Sequence, residues 1–165
     1  MGSVRPIFNF FFRKTPTLSD LGVPIVVATH PRSGTHLTID LLRRQFDACK
    51  GWLWYGETLH HLYFSLAQFH PEHDHQIDID GALDLLERAD RPTIKTHSMP
   101  SLPGYKGKKR EIAQKLLKDG QILYVVRDGR DVLCSAHVWK QEDEPDIAGI
   151  SLSAFLRDTV DGMSR

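Results

Sequence analysis

Cysteine is nearly absent: the 165-residue chain has two, Cys49 and Cys134. Two are too few for a disulfide framework, and they favour a reducing, cytoplasmic setting. No sign of charge is in excess, since 21 Lys+Arg stand against 21 Asp+Glu. That balance excludes the basic surplus of a general nucleic-acid binder and leaves room for one local anion site. Long apolar runs are missing as well. The N-terminal stretch from Ile7 to Phe12 is broken by Asn9, closed by Arg13 and Lys14, and far short of a bilayer span. No small-residue cleavage site comes after it, and Pro6 stands where a myristoylation signal needs Ser or Thr. Nowhere does Gly-Lys-Ser/Thr follow a strand pattern, which excludes the nucleoside-triphosphate loop G-x-x-x-x-G-K-[ST]. Internal repeats are also lacking.

What is present suits one domain with a core: 41% apolar and 25% charged residues. Pro24 to Ala28 and Ile122 to Val126 are nearly continuous in apolar residues, as parallel strands covered on both faces are. Thr93-Ile94-Lys95 is a shorter third strand. Helical spacing marks Leu59, Leu62, Tyr63 and Leu66, then Ala82, Leu85, Leu86 and Ala89. The same spacing marks Ile112, Leu116 and Leu117; Val132, Ala136 and Trp139; and Leu152, Phe155, Leu156 and Val160. Loops are expected at 71–80, 100–107 and 141–149. Strands alternating with helices predict an α/β fold, a central parallel sheet flanked by helices. An N-terminal arm over 1–20 precedes the domain, expected over 21–165. The arm's aromatics are expected to pack on the core, with a membrane-surface or partner-docking role as the rival reading.

Three segments carry chemistry. After the first strand comes Thr29-His30-Pro31-Arg32-Ser33-Gly34-Thr35, then a helix with Leu37, Leu41, Leu42 and Phe46 among its apolar positions. Strand, tight polar loop and helix point backbone N–H groups at an anion, and Arg32 adds a forked cation. The plainer reading is a helix start capped by Ser33 and Thr35. The second segment places Lys95 and His97 two apart, on one side of a strand end. With an unperturbed pKa of about 6.5, a histidine there can take a proton near neutrality. In the third, Arg127 ends a strand expected to be central, where open α/β sheets bind ligands. Ser135 comes two helical turns later, within reach of the same anion. Asp128 and Asp131 are spaced for a reciprocal helix cap, and Arg130 for a surface ion pair. The histidines at 60, 61, 70, 73 and 75, with Glu72 and Asp74, have loop spacing suited to a metal, with a polar surface loop the plainer reading.

Together, THPRSGTHL at 29–37, IKTHSMPSLP at 94–103 and YVVRDGRDVLCSAHVW at 124–139 resemble the sulfotransferases that use 3′-phosphoadenosine 5′-phosphosulfate (PAPS), above all the cytosolic type. The motifs stand in that family's order and cover roughly 20–162. The resemblance implies a P-loop nucleoside triphosphate hydrolase-like fold of the sulfotransferase kind. It also implies transfer of a sulfuryl group from PAPS to a hydroxyl or amine acceptor, with adenosine 3′,5′-bisphosphate (PAP) as product and no metal. Arg32, Ser33, Gly34, Thr35 and His36 then hold the 5′-phosphosulfate, and Arg127 and Ser135 the 3′-phosphate. His97 is the general base, and Lys95 and Arg32 stabilise the transferring group.

The departures are Arg32 for the commoner Lys, Leu37 for a Trp beside the adenine, and a chain that stops at Arg165 before the family's later R-K-G phosphate loop. The segment from Gly104 to Arg110 does not replace that loop and reads as solvated chain leading into a helix over 112–118. The chain is therefore expected to correspond to the N-terminal part of the family domain. Apolar surface left on helices 129–140 and 151–162 is expected to favour self-association. A non-catalytic binder of PAP or PAPS is the alternative function, and a P-loop kinase the lesser one.

Overall fold

The computed structural model describes residues 21–54, 56–58, 62–97 and 104–157. The apolar run after Pro24 becomes β1, Ile25–Thr29, which pairs in parallel with two other strands. On one side lies β3, Thr93–Thr96, with Ile25 opposite Thr93; on the other lies β4, Gln121–Val125, with Ile25 opposite Gln121. A two-residue strand β2, Phe64–Ser65, extends the sheet beyond β3, so the order is β2-β3-β1-β4. Five α-helices lie among the described residues, α1 Thr35–Gln45, α2 Ile79–Glu87, α3 Gly107–Asp119, α4 Gly129–Asp143 and α5 Leu152–Arg157, with two short 3₁₀ turns at Asp47–Cys49 and Leu66–Phe69. None is long and apolar enough to cross a membrane. The fold is α/β, with an all-parallel sheet flanked by helices.

Successive strand residues face opposite sides, and both sides of β1 are covered. Val26 packs with Ile94, Phe64, Leu86 of α2 and Leu116 of α3. Ile25 and Val27 face the other way, onto Ile39 of α1, Cys49 and Tyr63. This double burial explains why β1 is continuously apolar. A third, smaller cluster joins Ala136 of α4, Ile147 and Phe155 of α5.

Several expectations are corrected. The strand at 122–126 is not central: β4 is the sheet edge among the described residues, with Ile122, Tyr124 and Val126 56%, 70% and 77% exposed. Continuous apolar character does not reveal how many neighbours a strand has. The helical stripe at 59–66 instead forms β2 and a short 3₁₀ turn, Leu66–Phe69, with Leu59 outside the described residues. Pairing of Phe64 and Ser65 with β3 overrides the local spacing. In α1 the buried face is Thr35, Ile39 and Arg43, while Leu37, Leu41 and Phe46 are exposed. Arg43 is held inside by donating from Nη1 to the Leu62 carbonyl.

Helix α3 begins at Gly107, so part of the expected loop is helical, and Tyr105 is buried with its hydroxyl donating to the Leu66 carbonyl. Asp128 alone caps α4, accepting from the Arg130 amide at 2.9 Å, while Asp131 stands 4.0 Å from Arg127 instead of completing a reciprocal cap. Arg130 makes the expected surface ion pair, with Asp128 at 2.7 Å. The arm at 1–20, His60, His61 and Val160 lie outside the described residues. No three metal-ligating side chains converge among the described residues. His70 and His73 instead accept local backbone amides from Glu72 and His75.

Candidate anion cleft and imidazole base

The carboxyl ends of β1, β3 and β4 open onto one side, because all strands are parallel. The segments leaving those strand ends are therefore gathered there, as in other open α/β sheets. An open cleft of about 580 Å³ lies at this end. It is lined by Arg32, Gly34, Thr35, His36 and Leu37 from the first segment, Lys95 and His97 from the second, and Arg127, Ser135 and Trp139 from the third. Three segments distant in sequence thus build one site. Ser33 is the one expected ligand that does not line it; the residue is buried.

The loop turns tightly. The Ser33 amide donates to the His30 carbonyl at 3.1 Å, and Arg32 and Gly34 both take left-handed backbone, at φ 65° and 98°. Glycine adopts that region freely; arginine does so at a cost, and such strain collects at functional sites. Gly34 is also the N-cap of α1, and no side chain caps the helix there. The plainer reading of Ser33 and Thr35 as caps is thereby corrected. The positive end of α1 instead faces the cleft with its first-turn amides uncapped by side chains.

The third segment braces this loop. Arg127 Nη1 donates to the Arg32 carbonyl at 3.1 Å, and Arg32 Nε donates to Ser135 Oγ at 3.3 Å. The Arg32 guanidinium lies 5.5 Å from the Trp139 ring centroid. Trp139, expected on the core stripe of its helix, is 41% exposed and walls the cleft.

His97 stands opposite. Its Nδ1 is 3.1 Å from the Thr29 carbonyl oxygen, which only accepts, so a bond between them requires the Nδ1–H tautomer, the form that leaves the lone pair on Nε2. Burial of the ring's inner edge lowers its pKa below the ordinary imidazole value, and the charges of Lys95 and His30 push the same way. The Thr29 carbonyl opposes them by accepting from the protonated ring. Burial also lowers the Lys95 pKa. Lys95 Nζ is 3.5 Å from His36 Nε2 and 5.8 Å from the centre of the Tyr63 ring, whose hydroxyl is 2.9 Å from His36 Nε2.

Among the described residues, the lining holds three cations and no carboxylate, within a chain whose formal net charge is zero. Asp131 is the nearby acid, 4.0 Å from Arg127. Such a lining concentrates anions. Sequence reading missed Thr29, Tyr63 and Trp139 as parts of the site. Thr29 ends β1 immediately before the loop, a position that signals proximity. Tyr63 arrives from a segment with no motif of its own. Compared with protein-family models, curated proteins and solved structures, the chain matches none.

Proposed function

We propose that this protein is a sulfotransferase, moving a sulfuryl group from PAPS to a hydroxyl or amine acceptor. The observation that carries the reading is one cleft whose described lining holds three cations, no carboxylate and an imidazole tied to the Thr29 carbonyl through Nδ1. A donor bearing phosphates and a sulfate needs those cations, and an acceptor X–H needs that base. The sheet order, with the anion loop between β1 and α1, supports the sulfotransferase variant of the P-loop nucleoside triphosphate hydrolase-like fold.

In this reading, the loop amides, Arg32, Gly34, Thr35 and His36 receive the phosphosulfate end, and Arg127 and Ser135 receive the 3′-phosphate. The acceptor oxygen or nitrogen forms a bond to sulfur as the bond from sulfur to the phosphate oxygen breaks. Its proton passes to His97 Nε2, and PAP departs with the electron pair. Lys95 and Arg32 stabilise charge on the sulfuryl oxygens and on the leaving phosphate.

The test is a labelled-PAPS transfer assay on mixed hydroxyl and amine acceptors, with calorimetric titration of PAP beside it. His97→Ala is expected to lower turnover about 10²–10⁴-fold while PAP still binds. Wild-type turnover in that variant refutes the base assignment. Binding of PAP without transfer by the native chain indicates a non-catalytic nucleotide binder, and preference for ATP with magnesium indicates a kinase.

A further inference from the structure

Thr29 holds His97 twice. Beside the carbonyl contact, Thr29 Oγ1 lies 3.1 Å from the same Nδ1, and on its other side it lies 2.5 Å from Thr35 Oγ1. The two threonines are 3% and 5% exposed, so water competes little for these hydroxyls. The chain imidazole–hydroxyl–hydroxyl thus runs from the base to the first residue of α1, which lines the cleft.

A hydroxyl donates a single hydrogen, so such a chain has a direction. An oxyanion can only accept. When one takes the Thr35 hydrogen, Thr35 Oγ1 accepts from Thr29, and Thr29 Oγ1 accepts from His97 Nδ1–H. Every donor then points toward the anion, and the imidazole lone pair is confined to Nε2. With the loop empty, the reverse order is open: Thr35 donates to Thr29, and Thr29 donates to an unprotonated Nδ1. That order competes with the Thr29 carbonyl, which requires Nδ1–H.

We infer that Thr29 is a positioning residue that couples anion occupancy of the loop to the tautomer of His97, so that filling the loop fixes the base in its proton-accepting form. The inference rests on the cleft as the anion site and adds a link between its two halves. Group transfer itself proceeds as in the proposed function; the relay moves no atom beyond the hydroxyl hydrogens.

The experiment is long-range proton–nitrogen NMR of the histidine rings, with amide spectra beside it, on the full chain uniformly labelled with ¹⁵N, titrated with PAP and separately with inorganic sulfate. Either anion, once bound, is expected to shift His97 from a mixture to the Nδ1–H tautomer. Thr29→Val keeps the shape, lacks the hydroxyl and is expected to lose that response while PAP affinity stays within about threefold. Thr29→Ser is expected to restore the response, and Thr29→Ala to repeat the loss through a different packing change. In the transfer assay, Thr29→Val is expected to lower kcat about tenfold with little change in KM for PAPS, the scale of a lost outer hydrogen-bond partner. Bound anion with an unchanged tautomer, or a Thr29→Val response equal to the native one, overturns the relay and leaves the sulfotransferase reading standing. Failure of PAP to bind while sulfate drives the shift overturns the sulfotransferase reading and leaves the relay standing. If neither anion moves the Gly34 and Thr35 amides, both fall.

Discussion

Gly34→Ala separates backbone strain from crowding. Gly34 sits at φ 98°, and a Cβ built there meets no atom within 4 Å. Steric conflict with neighbours is therefore absent, and the cost lies in the left-handed backbone alone. That conformation costs a non-glycine residue about 1–2 kcal/mol. Alanine returns about 0.4–1 kcal/mol by restricting the unfolded chain. The net loss expected is about 1 kcal/mol, or about 2–4 °C in Tm for a chain of this size. Urea unfolding should show the lower midpoint with an unchanged slope.

The mirror test is at Arg32, a non-glycine residue at φ 65°. Arg32→Ala and Arg32→Gly lose the same bond to Ser135 and the same Trp139 contact. Alanine ordinarily exceeds glycine in stability, yet here glycine is expected to be the more stable by about 0.5–1 kcal/mol. Binding responds separately, because the new methyl of Gly34→Ala enters the cleft that Gly34 lines. PAP affinity is expected to fall by about tenfold or more, since only glycine permits that close approach. A Gly34→Ala chain as stable as the native one, or Arg32→Ala more stable than Arg32→Gly, refutes the strained-turn reasoning.

Arg127→Ala removes a charged donor and the brace on the Arg32 carbonyl, so PAP should bind about 10–100-fold more weakly by calorimetry; unchanged affinity removes Arg127 from the site. Lys95→Met should move the acid limb of kcat/KM to higher pH. The lysine's charge lowers the His97 pKa, so its loss raises that pKa, and the neutral base is then lost at higher pH as acid is added. A limb that stays in place or moves the other way refutes the coupling. Ile122→Glu and Tyr124→Lys should change stability by less than about 0.5 kcal/mol, since both side chains face solvent. Sedimentation should show less self-association in these variants than in the native chain, and a loss of several kcal/mol would mean that the face is covered.

Much of the site was legible because its parts adjoin features that sequence marks well. Arg32 and Gly34 come after a continuous apolar strand, Lys95 and His97 share a strand's period of two, and Arg127 and Ser135 bracket a helix start. Less was legible wherever tertiary contacts decide. Phe64 and Ser65 form a strand too short to show alternation, inside a stretch whose leucines mimic a helix. Arg43 is buried and Leu37 exposed on one helix because a carbonyl from a distant turn awaits the guanidinium. Ile122 and Tyr124 have the composition of core strands, and only the sheet order reveals them as edge residues. Thr29 was visible as part of a motif, but its bond to His97 needed the pairing of β1 with β3.

The registers of the sheet also set when the cleft comes into being. β1 must find residues 93–96 and 121–125 before His97 or Arg127 can face the loop. Such distant parallel pairings are slow to form, because the intervening chain must close before any contact rewards it. No local fragment of this chain holds the candidate site, so a ligand of the proposed kind would meet it only in the assembled sheet. An anion bound across all three strand ends acts as a clasp on that late topology. At a hundred times its Kd it adds about 2.7 kcal/mol to the folded state.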